Sequence, residues 1–357
     1  MIGVPTCPIL TSATRERGQS PYLCWKFPLR HRLDARHVMR LACPALISLI
    51  ALLGAACSSP DRASNFTTSA SSPNSTVRPA LPTTQGDTSS SKPDPVITAA
   101  GDIARFDCLY CGDLATAALI QQIKPTAVLA LGDTQYPAGA LKDFQTGYAH
   151  TWGLFKQKTK PVPGDHDYLT PGAAGYFRYF GRAAKPKGMS YYSYDLGTWH
   201  LIALDSNIDR GPGSAQERWL EADLAATRKR CILAYWHFPR FSSRSRRGGD
   251  TSVAGFWADL HAAGTDVVLN GHWHLYERFA PQTPAGVSDP RRGIRQFVVG
   301  TGGGALHRLP TSRLANSEII SNKTYGVLKM NLHADSYTWQ FVAVDGSVKD
   351  SGSQACH

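Results

Sequence analysis

The stretch "DVVLNGHWHLYER", residues 266–278, poses the question on which the fold turns. An apolar run ends at Asn270, a flexible Gly271 follows, and His272 and His274 stand on either side of Trp273. On this stretch alone two readings stay open: a core strand that carries histidines, or a strand end that aims two imidazoles at metal. What ends the other strands has to decide.

Short apolar runs rich in β-branched and aliphatic residues recur along the chain: "VITAA" (96–100), "AVLAL" (127–131), "HLIAL" (200–204), "ILAYW" (232–236), "DVVLN" (266–270) and "QFVVG" (296–300). They read as buried strands. Helix-like segments lie between several of them, at "LATAALIQQI" (114–123) and "SAQERWLEADLAATR" (214–228), the second opening with a Ser214-x-x-Glu217 capping box. The stretch "YGVLKMNLHADSYTWQFVAVDG" (325–346) reads as a hairpin. No internal repeat and no domain-sized linker follows residue 95, so residues 96–357 are expected to form one α/β catalytic domain.

The polar residues fall at the ends of these strands. The first run meets Gly101-Asp102, the second Gly132-Asp133 with Tyr136, and a segment ending "KPVP" meets Asp165-His166-Asp167. The "ILAYW" run ends in His237, and the last of the five in His272 and His274. Ligands of open α/β sheets bind just beyond the carboxyl ends of strands, and glycine there lets the chain turn sharply. Taken singly, each residue has a plainer explanation: a Gly-Asp turn, a core histidine, a polar loop. Five strand ends in succession point instead to one site. Asp, His and Tyr form a hard-to-borderline donor set suited to Fe, Zn or Mn, and seven donors fit two metals that share a carboxylate.

The ordered set "GD", "GDTQY", "GDHD", "AYWH" and "GHWHLYER" resembles the motifs of the calcineurin-like metallophosphoesterases. It is most similar to the purple acid phosphatase branch, with its GDxG, GDxxY, GNH(E/D), VxxH and GHxH signatures; Tyr136 and the "YER" tail carry the likeness to that branch. The resemblance covers roughly residues 96–300 and implies a four-layer α/β/β/α sandwich with two mixed sheets. Carried over residue by residue, it implies that Asp102, Tyr136 and His274 hold Fe(III) and that Asp133 bridges. Asp165, His237 and His272 then hold a divalent Zn, Fe or Mn. His166 stands beside the substrate to assist the leaving group, and Asp167 is expected to orient His166, as carboxylates do for functional imidazoles.

Three residues depart from the pattern: Ala104 replaces the last glycine of GDxG, Trp273 stands where a smaller residue is usual, and Asp165 takes the place of a neutral Asn. The last brings the anionic ligands to four where the family has three, which should tighten the divalent metal and weaken its Lewis acidity.

The implied activity is hydrolysis of a phosphate ester, with metal-activated water attacking phosphorus, most like an acid phosphomonoesterase. Alternatives are a phosphodiesterase or nucleotidase on the same site, or a non-catalytic surface-binding protein. No protein nucleophile is needed, and residues 96–357 hold no G-x-S-x-G elbow, P-loop or Cys-x5-Arg loop. The "DHDYL" stretch superficially resembles an aspartyl-phosphate motif, but Leu169 and the prolines before it argue against that. The expected partner is a small phosphorylated substrate. "GTGGG" (300–304) offers backbone amides to an anion but lacks a lysine. Arg240, Arg244, Arg246 and Arg247 in "PRFSSRSRRGG" read first as a solvated loop, and second as a basic mouth for polyanions.

Formal net charge is +11, of which residues 1–57 supply +5 from seven Lys/Arg against two Asp/Glu. The excess left for the other 300 residues is only +6, so no nucleic-acid partner is expected. "MRLACPALISLIALLGAAC" (39–57) reads as an export signal that resembles a lipoprotein signal, with Cys57 the lipidated residue and a possible membrane tether. Met39 is the expected start of that signal. Ser, Thr and Pro fill 22 of 38 positions in residues 58–95, a composition that buries no core and reads as a disordered tether. The protein is therefore expected to be exported, to the cell envelope or beyond. Beyond residue 57, Cys108, Cys111, Cys231 and Cys356 remain; a local Cys108–Cys111 disulfide and a Cys231–Cys356 bridge are one pairing among those open.

Overall fold

The computed structural model describes residues 93–105 and 112–357. The expected signal, Cys57, the tether up to residue 92 and the Cys108–Cys111 pair lie outside these residues. No helix among the described residues is long and apolar enough to cross a membrane.

Two mixed sheets form the centre. One has six strands, in the order Val348–Ala355, Ser336–Ala343, Gly326–Leu332, Val96–Ala100, Ala127–Leu131 and Thr159–Val162. The other has seven, in the order Ser317–Ser321, Tyr276–Phe279, Arg295–Val299, Val267–Asn270, Cys231–Tyr235, Trp199–Ala203 and Tyr192–Leu196. The strands nearest the site run parallel, 96–100 beside 127–131 beside 159–162, and 199–203 beside 231–235 beside 267–270. Their carboxyl ends therefore share one edge of each sheet.

Side-chain alternation shows how the layers stack. Leu201, Leu233, Tyr235, Val267, Leu269, Phe297 and Val299 join the residues of the six-stranded sheet in one buried cluster. Their sequence neighbours Ile202, Ile232, Ala234, Val268 and Val298 face the other way. There they pack with Leu220 of the helix Ala215–Ala226 and with Phe256, Trp257 and Leu260 of the helix Ala254–Ala262. Apolar residues on both faces make these strands continuous hydrophobic runs rather than alternating ones. On the far side, the helix Asp113–Ile123 lies against the six-stranded sheet. The layer order is α/β/β/α, as the resemblance implies. Burial of each Leu, Val or Phe in these layers is worth about 1.5–3 kcal/mol.

Local signals explain most element ends. Ser214 caps the 215–226 helix by accepting from the Glu217 amide at 3.1 Å, while the Glu217 carboxylate accepts from the Gly213 amide instead of that of Ser214. The "KPVP" segment is an edge strand, where Pro161 leaves no central ladder bond unmade. The expected C-terminal hairpin gains a third strand, Val348–Ala355, which pairs antiparallel with Ser336–Ala343. Cys231 and Cys356 form a disulfide that joins a central strand to the end of this meander. At the other end, the Pro95 carbonyl accepts from the Leu332 amide at 2.9 Å, and His333 donates to Asp94 at 2.7 Å. Contact with the fold thus begins two residues before the expected boundary at 96.

Candidate metal centre

The strand ends of the two sheets meet through backbone bonds. The Gly101 amide donates to the Val299 carbonyl (2.9 Å), and the Gly302 amide to that of Gly101 (3.0 Å). Asp102, Asp133 and His272 all take left-handed backbone conformations, with φ of 59°, 48° and 72°. Outside glycine this region costs of order 1–3 kcal/mol, least for Asp, and it concentrates at functional sites. Only two other described non-glycine residues adopt it, Lys124 and Ala173. A side chain on Gly164 would collide with the Asp133 carboxylate, and one on Gly271 would meet the Asp102 carboxylate at 2.9 Å. Glycine at these positions is what allows the loops to close on one another.

Seven donor residues converge in two groups. In the first, the Tyr136 hydroxyl lies 3.0 Å from Asp102 Oδ1, 3.0 Å from Asp133 Oδ2 and 2.8 Å from His274 Nε2. His274 Nε2 lies 3.2 Å from Asp102 Oδ1. In the second, Asp165 Oδ1 lies 3.1 Å from His237 Nε2 and 3.3 Å from His272 Nδ1, and His237 Nε2 lies 3.4 Å from Asp133 Oδ1. Asp133 presents one oxygen to each group.

The donor set fits cations on two grounds. Two ligands each about 2.1 Å from an ion lie about 3.0–3.4 Å from one another, the spacing found here save for the 2.8 Å between Tyr136 and His274. His237 Nδ1 donates to the Leu131 carbonyl (2.8 Å) and His274 Nδ1 to that of Ala305 (2.7 Å), so each neutral ring turns a lone pair at Nε2 toward carboxylate oxygens. A cation resolves that opposition. Without one, the carboxylates must hold the rings protonated: burial alone would lower the His237 pKa, but Asp133 and Asp165 raise it well above the ordinary value. Burial together with the charges of Asp102 and Asp133 pushes the Tyr136 phenol far up, so a phenolate here requires strong positive charge at its oxygen.

His166 and Asp167 separate. His166 donates from Nδ1 to the Pro137 carbonyl at 2.6 Å, and its ring stands edge-on to Tyr136 at 4.6 Å. Its amide donates to Asp133 Oδ1 at 2.9 Å. Asp167 does not orient His166, contrary to expectation. Its buried carboxylate accepts from the Thr134 hydroxyl (2.8 Å) and the Gly164 amide (2.9 Å), tying two site loops together. The reason is local: "DHDY" forms one helical turn, and adjacent helical residues point about 100° apart. Burial and the nearby Asp133 push the Asp167 carboxyl up to about 7.

One further expectation changes, and one residue joins the site that no motif marked. The amides of Gly300, Gly302 and Gly304 donate to Leu275, Gly101 and Asp102 carbonyls, so "GTGGG" fastens the Asp102 loop and offers those amides to no anion. His307, passed over in the sequence, stacks on His274 with ring centroids 4.0 Å apart, and its Nδ1 accepts from the His274 amide at 3.2 Å. Burial and His274 lower its pKa to about 4, which keeps it an acceptor. Ala104 is buried in a two-residue strand beside Gln135 and fits without a glycine. The cluster of Cys231, Cys356 and Asp266 is no metal site, because its thiols form the disulfide.

A family model of calcineurin-like phosphoesterases matches residues 96–276. Purple acid phosphatase 18 of Arabidopsis thaliana is 35% identical over 118 residues, which cover 32% of this chain and 26% of that protein. Acid phosphatase type 7 of Homo sapiens is 28% identical over 192 residues, or 45% of this chain and 42% of that protein. The chain thus spans less than half the length of either relative. Among solved structures, purple acid phosphatase PPD1 from seeds of yellow lupin (Lupinus luteus) is similar in fold. Its TM-score is 0.61 at 17% identity, over 73% of this chain and 53% of that one.

Proposed function

The chain belongs to the calcineurin-like phosphoesterase family, and from that membership we propose that it is a dinuclear-metal phosphoric ester hydrolase acting on small phosphomonoesters. The observation that carries the reading is the sharing of Asp133 between two donor groups. Asp102, Tyr136 and His274 would hold one ion, Fe(III), and Asp165, His237 and His272 a divalent Zn, Fe or Mn. Such a pair, when bound, supplies positive charge to phosphoryl oxygens and water of lowered pKa.

The chain's own residues set the rest. The Leu131 and Ala305 carbonyls fix the tautomers of His237 and His274. The Pro137 carbonyl fixes His166 through Nδ1, which leaves Nε2 to carry a proton to the departing alkoxide. The Asp133 bond to the His166 amide holds that ring at the edge of the centre. Residues 96–357 form the catalytic domain in this reading. Export is supported by the 39–57 signal and by the Cys231–Cys356 disulfide, a bond that persists in oxidising compartments.

Metal content, visible absorbance and hydrolysis of an aryl phosphate, measured on one purified sample, test the proposal. Two metals per chain, turnover, and a purple band lost in Tyr136→Phe are expected. A colourless dizinc or dimanganese enzyme would remove the iron assignment. Less than one metal per chain without turnover would favour a binding protein.

A further inference from the structure

We propose that the cavity beside His272, lined by Arg247 and by Trp273, the ring on which Arg244 stacks, is a second-anion subsite selecting phosphate esters that carry a second phosphate group. The proposal rests on the phosphoesterase reading and narrows its substrate class. The cavity measures about 210 Å³, and Phe238, Arg247, Asp250, Thr251, His272 and Trp273 are among its walls. His272 belongs to the more exposed donor group, so a phosphoryl group at the centre would reach this cavity with the rest of its molecule.

Arg244 is not a solvated loop residue. Its guanidinium lies over the Trp273 ring, 5.2 Å from the centroid, and its Nε is buried without a hydrogen-bond partner. Neither Arg244 nor Arg247 makes an ion pair among the described residues, whereas Arg278 and Arg295 do. The loop that carries Arg244 is fixed from below: the buried Glu277 carboxylate accepts from the Ser243 amide (3.0 Å), the Ser242 hydroxyl (3.3 Å) and the Ser317 hydroxyl (2.7 Å). The Ser243 hydroxyl in turn accepts from the Leu314 amide at 2.9 Å. A guanidinium held on a rigid loop and stacked on an aromatic face keeps its planar fork ready for phosphate oxygens.

The wall also carries one carboxylate, Asp250, whose Oδ1 accepts from the Ser252 amide and hydroxyl, at 2.8 and 2.6 Å, so Arg244 and Arg247 together leave one positive charge in excess. The aromatic faces are already engaged. Arg244 lies over Trp273, while Arg210 and the edge of His272 lie against Phe238. A planar leaving group stacking on the engaged faces would compete with these partners, and an anion would not.

The test compares propane-1,3-diol monophosphate with its bisphosphate as substrates of the metal-loaded full chain. In parallel, calorimetry compares binding of propylphosphonate and propane-1,3-bisphosphonate. Wild type should prefer the two-anion compound by about tenfold or more in both measurements, after the statistical factor of two and at low salt. Arg244→Ala should cut that preference about tenfold, Arg247→Ala several-fold and Arg246→Ala not at all, because Arg246 stands on the same loop without lining the cavity. A wild-type preference within the statistical factor, or one that survives Arg244→Ala, overturns the proposal. So does a gain for phenyl phosphate that depends on Trp273 but not on Arg244. If neither ester is turned over, the phosphoesterase reading falls, and the calorimetric ratio still decides the subsite.

Discussion

The two halves of the centre share Asp133 and differ in depth. Asp102 is fully buried and the His274 side chain 14% exposed, whereas the Asp165 side chain is 42% and that of His272 29% exposed. The deep half is locked by backbone: Asp102 Oδ2 accepts from the His272 amide at 2.8 Å, and the Gly304 amide binds the Asp102 carbonyl at 2.7 Å. In the outer half, Asp165 and His272 stand on a single helical turn and a strained loop. With metals bound as proposed, the inner ion would be the better retained, and the outer one, with only His237 of its own ligands fully buried, the more open to exchange and to substrate.

The strongest test of that division is Asp133→Asn. Loss of the shared donor should remove both metals and lower kcat/KM on an aryl phosphate roughly 10³-fold or more. Elemental analysis that shows only one ion lost would break the pairing of the halves. His166→Gln is expected to leave both donor groups intact and to act on the leaving group. It should cost about 10²-fold on an alkyl phosphate and far less on nitrophenyl phosphate, whose leaving group needs no proton. Equal losses on the two substrates would remove His166 from that role.

Asp165→Asn should raise turnover a few-fold or shift the preferred divalent metal, because one negative charge leaves the outer half. Unchanged activity and metal content would show that the extra carboxylate is inert.

His200 lies away from both halves and separates loss of fold from loss of site. It bonds Asp195 at 2.9 Å and Asp223 at 2.8 Å. Burial alone would lower its pKa, but these two carboxylates raise it above the ordinary value. The folded state therefore binds this proton more tightly than the unfolded chain. The stabilisation is complete below about pH 6.5 and is lost as pH rises through the folded value. His200→Gln should lower Tm by about 2–5 °C at pH 6 and by less at pH 9. An equal drop at both values would assign the effect to packing.

The sequence made the parallel strands and the donors at their ends legible, because buried strands are continuous apolar runs and a polar residue at their end stands out. Val348–Ala355 was not legible: "VKDSGSQA" is an edge strand with one apolar face at most, and its identity comes from pairing with residues 336–343. His307 belongs to no motif and reaches His274 only through a loop whose path the fold sets. Asp167 misled because adjacency in sequence is not adjacency of side chains on a helix. Trp273 gained meaning only when Arg244, far from it in sequence, was found over its ring.

Glu277 gives the arginine loop a fixed base and a free crown. Its carboxylate engages Ser242, Ser243 and Ser317, while residues 245–247 bond among themselves or with loop backbone. In the proposed subsite, selectivity would therefore drift by exchange of residues 244–247, with the two serines before them and the glutamate beneath kept as the socket. A chain arranged in this way can change what it selects without reopening the chemistry that it performs.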